Sequence, residues 1–116
     1  MRLNDLAATL GLECLTPATT ADSPEITAGY VSDLLSDVLA HAPQGGVLVT
    51  VQVHLNVIAV AVHAELAAVI FALDRRPDEA VLARAAEEGL ALYVSKLPAF
   101  EIVGRLYAAG VRGTHA

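Results

Sequence analysis

Between Val47 and Leu73 the chain is apolar almost throughout, but Gln52, His54, Asn56, His63 and Glu65 interrupt the run. A membrane-spanning helix needs about 20 apolar residues without such breaks. The pattern divides instead into strand, helix and strand of a soluble core. "VLVTV" has no charge and is mostly β-branched, which predicts a central strand buried on both faces. "AAVIFAL" predicts a second strand of the same kind. Parallel neighbours need a crossover element between them. "HLNVIAVAVHAE" has the length for that helix, although its β-branched residues argue against helix on propensity alone.

Ahead of this run, Asn4 is placed to cap a short helix ending near Leu10, with Gly11 as its stop. "LECLT" reads as a short strand and "ITAGYVS" as a second, rich in β-branched and aromatic residues. Between them, Thr16 to Glu25 is Pro-, Ser- and Thr-rich and reads as a surface loop, not a domain boundary. Ser32 or Asp33 starts the next helix, with Leu34, Leu35, Val38 and Leu39 as its apolar face. "APQGG" breaks it.

After the central run, Pro77 fits a first helical position, with Asp78 and Glu79 near the positive end of the dipole. Leu82, Ala85 and Ala86 face inward and Gly89 ends that helix. "LALYVS" is the last strand. Pro98 opens the last helix, in which Phe100, Val103, Leu106 and Tyr107 face the core, and Gly110 closes it. Strands alternating with helices predict an α/β fold: a mainly parallel sheet of about four to five strands with flanking helices. A single domain is expected over residues 1–111, with a frayed tail at 112–116.

Such sheets bind ligands beyond the carboxyl ends of their strands. The residues placed there are Ser32 and Asp33, then Gln52, His54 and Asn56, then Asp74 and Arg75, then Ser95 and Lys96. The candidate ligand-binding set is Gln52, His54 and Asn56, with Ser32, Asp33, Asp74 and Ser95 as neighbours. Asn56 near a helix N-terminus would offer backbone N–H groups to a phosphate or carboxylate. The structural alternative has Asn56 capping the helix and His54 satisfying a neighbouring backbone group. Ser95 with Lys96 either binds an anion or forms an exposed loop into Pro98. Asp33 and Asp37 stand one helical turn apart, as a cation-binding pair or as partners of the helix dipole.

Composition narrows the classes. The chain has 116 residues, 55% of them apolar and 4% aromatic, with a net charge of −6. There is no basic run for a phosphate backbone and too few aromatics for base stacking, so nucleic acid is not an expected partner. Cys14 is the only cysteine, which excludes an internal disulfide and a cysteine-based metal site; it is expected in a buried strand, as a small hydrophobe. The four histidines lack ligand spacing, so no zinc is expected; His41 and His63 fall near helix ends, where a positive imidazole is favoured.

"APQGGVLV" is not a P-loop, no G-x-S-x-G elbow occurs, and no cofactor is implied. "MRLNDLAATLG" is not a secretory signal, which makes a cytoplasmic location the expectation, with no membrane association. Alanine and valine exceed what so small a core can hide, which points to a homo-oligomer or a partner protein covering apolar surface.

At "GYVSDLLSDVLAHAPQGG", "VTVQVHLNVIAVAV" and "FEIVGRLYAAG" the chain resembles the DRTGG-domain family, in order and over nearly its whole length. It is similar in particular to small stand-alone members related to the HPr-kinase N-terminal domain. The resemblance implies an α/β fold and a non-catalytic regulatory part, of the kind found beside CBS domains and in phosphotransacetylase-type proteins. It argues against kinase activity, which belongs to a separate P-loop domain. The family's Asp-Arg pair would fall near Val53 and His54, and its Thr-Gly-Gly near Ala72, Leu73 and Asp74. None of those residue types is kept, and "LDRRP" replaces the glycine turn.

The expected function is therefore a ligand-binding or regulatory module without catalysis of its own, for a nucleotide or other small anionic ligand. The alternatives are a protein–protein interaction or scaffold domain, and a small enzyme with His54 as general base.

Overall fold

The protein is described from a computed structural model over residues 1–16 and 23–114. Most of the loop expected at Thr16 to Glu25 lies outside the described residues, as do His115 and Ala116 of the expected tail. In chain order the elements are α1 (Leu3–Leu10), β1 (Glu13–Cys14), β2 (Gly29–Val31), α2 (Leu35–His41) and β3 (Val47–Thr50). There follow α3 (Asn56–His63), β4 (Ala68–Phe71), α4 (Glu79–Glu88), β5 (Ala91–Val94) and α5 (Ala99–Ala108).

The uncharged runs form the middle of one five-stranded sheet of order β1-β5-β4-β3-β2. Every residue of β3 and β4 is buried. Strands β2 to β5 are parallel, with Val47 opposite both Gly29 and Ala68; only β1 runs antiparallel, on β5. The fold is thus α/β with a mainly parallel sheet, as the alternation of elements predicts.

The three steps β2 to β3, β3 to β4 and β4 to β5 all move the same way across the sheet. With one hand of crossover, α2, α3 and α4 must then share a face. They do: their Val38, Val57, Ile58, Val81 and Ala85 pack with Leu48, Val69, Phe71 and Leu92. The opposite face, built on Val47, Val49, Ala68 and Ile70, is covered by α1 and α5. Each fully buried Leu, Ile or Phe in these layers contributes roughly 1.5–3 kcal/mol of apolar burial.

Helix α3 forms against its own propensity because Val57, Ile58 and Ala61 are completely buried on its sheet side. Tertiary packing outweighs the few tenths of a kcal/mol, roughly, that each β-branched residue costs in a helix. Gly11 and Gly89 end α1 and α4 in the left-handed conformation, with φ of 65° and 69°.

Several local expectations are corrected. Asn4 does not cap α1; it lies inside the helix, and its N–H is taken by the hydroxyl of Ser23 at 2.9 Å. Helix α4 begins at Glu79, because Asp78 caps it by accepting from the Val81 N–H, and Pro77 precedes the cap. Cys14 is exposed, because β1 is a two-residue edge strand. In α2 only Val38 is buried, while Leu34 and Leu39 stay exposed.

Helix α5 sits rotated from the expected face. Ile102 and Leu106, one turn apart, fix the buried stripe. Phe100 and Tyr107 fall more than 90° away from it on a helical projection of about 3.6 residues per turn. They are 87% and 52% exposed. Arg112 returns to the sheet: its N–H donates to Thr27 C=O, and its own C=O accepts from Gly29 N–H.

Candidate functional site

Because β2 to β5 are parallel, the loops after them open on one edge of the sheet. All seven predicted residues lie on those loops or at the first turn of α3. The geometry sorts them into three groups.

The first joins β2 to β3. Asp33 Oδ1 accepts from the Thr50 hydroxyl and from the Val51 N–H, both at 2.9 Å. The Thr50 hydroxyl oxygen accepts in turn from the Gln52 N–H at 3.1 Å. Thr50 is only 1% exposed, so this carboxylate anchors a buried hydroxyl at the strand end. Ser32 Oγ accepts from the Leu34 N–H at 3.2 Å and shapes the entry into α2. The pair Asp33 and Asp37 does not converge: Asp37 lies within 2.8 Å of the Tyr30 hydroxyl and 3.0 Å of His41 Nδ1. Among the described residues, no group of three or more acidic, histidine or cysteine side chains could hold a metal.

The second group opens α3. His54 Nδ1 accepts from the Asn56 N–H at 3.0 Å, which assigns the ring proton to Nε2. The next two amides are also taken, Val57 N–H by His54 C=O and Ile58 N–H by Leu55 C=O, each at 3.0 Å. Leu55 is therefore the cap position and Asn56 the first helical residue, whose N–H is taken by the His54 ring. An anion at this helix end would meet no free amide in the first three positions, contrary to the expectation for Asn56. The exposed Gln52 and Asn56 side chains and His54 Nε2 remain open to solvent among the described contacts.

The third group lies after β4 and β5. Asp74 N–H donates to Ser95 C=O at 2.8 Å, and Ser95 Oγ accepts from Leu97 N–H at 3.2 Å. Arg76, which sequence reasoning missed, donates to both carboxylate oxygens of Glu13 at 2.8 Å and to Asp74 Oδ1 at 2.9 Å. Its guanidinium hydrogen bond holds the Glu13 carboxyl below its ordinary range, and Glu13 first and Asp74 second raise Arg76 further above its own. A cavity of about 230 Å³ lies here, lined among others by Gly11, Asp74, Arg76, Ser95 and Lys96. With Arg75 beside them, Arg76 and Lys96 bring three of the chain's seven basic side chains to this edge. Arg75 and Lys96 make no ion pair among the described residues.

The backbone of this loop is unusual. Leu73 and Asp74 both have positive φ, 58° and 55°, a conformation that L residues avoid and glycine accepts. These are the positions where the resemblance placed a pair of glycines. The turn thus has a glycine-like backbone without a glycine.

Fold and edge together define an α/β module whose polar loops converge on the carboxyl side of a parallel sheet. No family model and no curated protein matches the chain. Among solved structures it is similar to the CBS and DRTGG domains of the regulatory region of Clostridium perfringens pyrophosphatase, a structure complexed with the activator diadenosine tetraphosphate. The TM-score is 0.72 at 9% identity, over 90% of this chain and 45% of that one. The chain therefore spans about half the length of that structure and shares the fold of the part it matches. Among the described residues, no helix is long and apolar enough to cross a membrane.

Proposed function

We propose that the protein is a regulatory module that binds a small anionic ligand at the carboxyl edge of its sheet. Gln52, His54, Asn56, Ser32, Asp33, Asp74 and Ser95 form its polar rim, and Arg75, Arg76 and Lys96 supply the charge. The observation that carries this reading is the cavity at Asp74 and Ser95, lined by Arg76 and Lys96 with Arg75 next in the same loop, in a chain whose net charge is −6. Arg76 is paired there with Glu13 and Asp74, so Lys96 and Arg75 carry the positive charge left to meet an anion. A nucleotide is the favoured class, since the structure of similar fold holds a dinucleoside polyphosphate. A phosphorylated ligand would lie against Lys96 and the Arg75–Arg76 pair, with its remaining part towards Gln52 and Asn56. His54, whose Nδ1 is already occupied, supplies a single free nitrogen to that rim.

Calorimetric titration and thermal shift with diadenosine tetraphosphate, mononucleotides and inorganic phosphate test this. A ligand at one hundred times its dissociation constant should raise stability by about 2.7 kcal/mol. Arg75→Ala with Lys96→Ala should abolish the shift, and His54→Ala with Asn56→Ala should weaken it. A shift that survives both double variants would place the ligand elsewhere and refute the site.

A further inference from the structure

We infer that α5 is the contact helix of a homodimer, packed antiparallel against α5 of a second copy. Phe100 is 87% exposed, the most exposed of the large apolar side chains, and Tyr107 follows on the same stripe at 52%. Between them stands Gly104, inside the helix. A Cβ built at Gly104 meets nothing within 4 Å, so no contact inside the chain requires glycine there. Glycine is among the poorest helix formers, and its use at an open helical position calls for a close approach from outside. Phe100 and Gly104 are one turn apart and therefore neighbours on the helix surface. They form a projection and a depression on one stripe, which is the self-complementary arrangement that a two-fold interface needs.

The flank of the stripe has matching charge. Glu101 and Arg105 are exposed, of opposite sign, and neither forms an ion pair among the described residues. About a two-fold axis between Ile102 and Val103, Glu101 of one copy comes within one residue, about 1.5 Å along the helix, of the level of Arg105 of the other, and the reverse pair closes the symmetry. In that register Phe100 of each copy enters the depression at Gly104 of its partner. Beside the stripe a mainly apolar groove of about 490 Å³, lined by Val31, Val103 and Tyr107 among others, lies open and would be closed by the second helix. The chain has surplus apolar surface at this helix and complementary charge beside it, which favours a second copy over an unrelated partner.

Sedimentation equilibrium of the full chain across a wide concentration range tests the proposal. The expected result is a reversible transition between the 12.1 kDa chain and twice that mass. Phe100→Ser should loosen it at least tenfold. Glu101→Arg alone should weaken it by about tenfold, since symmetry counts the repulsion twice, and Glu101→Arg with Arg105→Glu should restore it. Gly104→Gln should raise the melting temperature of the dilute monomer while weakening association, two changes of opposite sign. A strict monomer at all concentrations would overturn the proposal. So would a dimer indifferent to Phe100→Ser, or a charge exchange that restores nothing. None of these variants touches the carboxyl-edge residues, so ligand binding and dimerisation can fail separately.

Discussion

Replacing Leu73 by glycine should stabilise this protein relative to replacing it by alanine. Leu73 has φ of 58° and is followed by Asp74 at 55°. The turn is held in place from several sides. Leu73 N–H donates to Leu97 C=O at 3.0 Å, Asp74 N–H to Ser95 C=O at 2.8 Å, and Arg75 N–H to Ala72 C=O at 3.1 Å. The backbone cannot relax out of the left-handed region without losing these bonds. Left-handed geometry costs an L residue roughly 1–2 kcal/mol. Glycine gives back roughly 0.4–1 kcal/mol through the greater freedom of its unfolded chain. Both variants delete the same half-exposed side chain, so the loss of burial nearly cancels between them. The remainder favours glycine over alanine by about 1 kcal/mol, or about 4 °C in Tm for a domain of this length. Urea unfolding of the two variants measures it directly. Ala83→Gly, on the exposed side of α4, serves as control and should lose about 1 kcal/mol. If Leu73→Gly unfolds at lower urea than Leu73→Ala, the left-handed turn is not enforced by the fold.

Asp33→Ala should cost about 2 kcal/mol, because it strands the buried Thr50 hydroxyl and the Val51 N–H; Asp33→Asn, which keeps an acceptor oxygen, should cost less, and equal losses in urea midpoint would show that accepting these two bonds is not enough. Gly46→Ala should lose about 1–3 kcal/mol, since its Cβ would stand 2.8 Å from Pro43 Cγ and 2.9 Å from Pro43 O. Gly45→Ala meets nothing within 4 Å and should lose only the strain of its positive φ; a thermal melt showing the reverse order would contradict the packing. The Tyr30–Asp37 pair should make stability pH-dependent at both extremes. The Tyr30 hydroxyl first, then Ser32 and His41, hold the Asp37 carboxyl below its ordinary 3.8, and Asp37 raises Tyr30 above 10.0. A lowered carboxylate stabilises above its unfolded value and loses this as pH falls through the folded one, whereas a raised phenol loses its contribution as pH climbs past 10. The difference in urea midpoint between wild type and Tyr30→Phe should therefore be widest near neutrality and shrink below about pH 4 and above about pH 10. A difference independent of pH would show the hydrogen bond to be without effect.

The elements that could be read from the chain are those whose residues answer to their own position. "VLVTV" and "AAVIFAL" carry no charge, and only a doubly covered strand tolerates that, so their central place followed. The crossover helix followed from topology even though Val57, Ile58, Val60 and Val62 speak against helix. What could not be read depends on rotation or on distant partners. Whether Phe100 or Ile102 faces the sheet is a rotation of α5 that both apolar patterns allow; the structure selects Ile102 with Leu106. Cys14 is exposed despite the strand-like pattern of "LECLT", because an edge strand of two residues covers little. The bond from Arg76 to Glu13 spans 63 residues, and no local spacing announces it.

The same distinction explains the site. The edge on which the candidate residues fall was legible, because parallel strands send all their carboxyl ends to one side whatever the side chains are. The work of each residue was not. Asn56 had the right type for a cap, yet the ring of a histidine two residues earlier takes its amide, since Leu55 already has helical dihedrals and pushes the first free amide onto His54. Consuming those amides removes the anion site that a bare helix end would give. An anion at this edge must then be held by side chains, and the only loops there that supply cations are those after β4 and β5. That shifts the predicted centre of binding from Asn56 towards Asp74 and Ser95. The left-handed turn at Leu73 and Asp74 lies in the same loop. Two unfavourable dihedrals are kept where Arg75 and Arg76 leave the sheet, and relaxing the turn would pull Arg76 out of its bonds to Glu13 and Asp74.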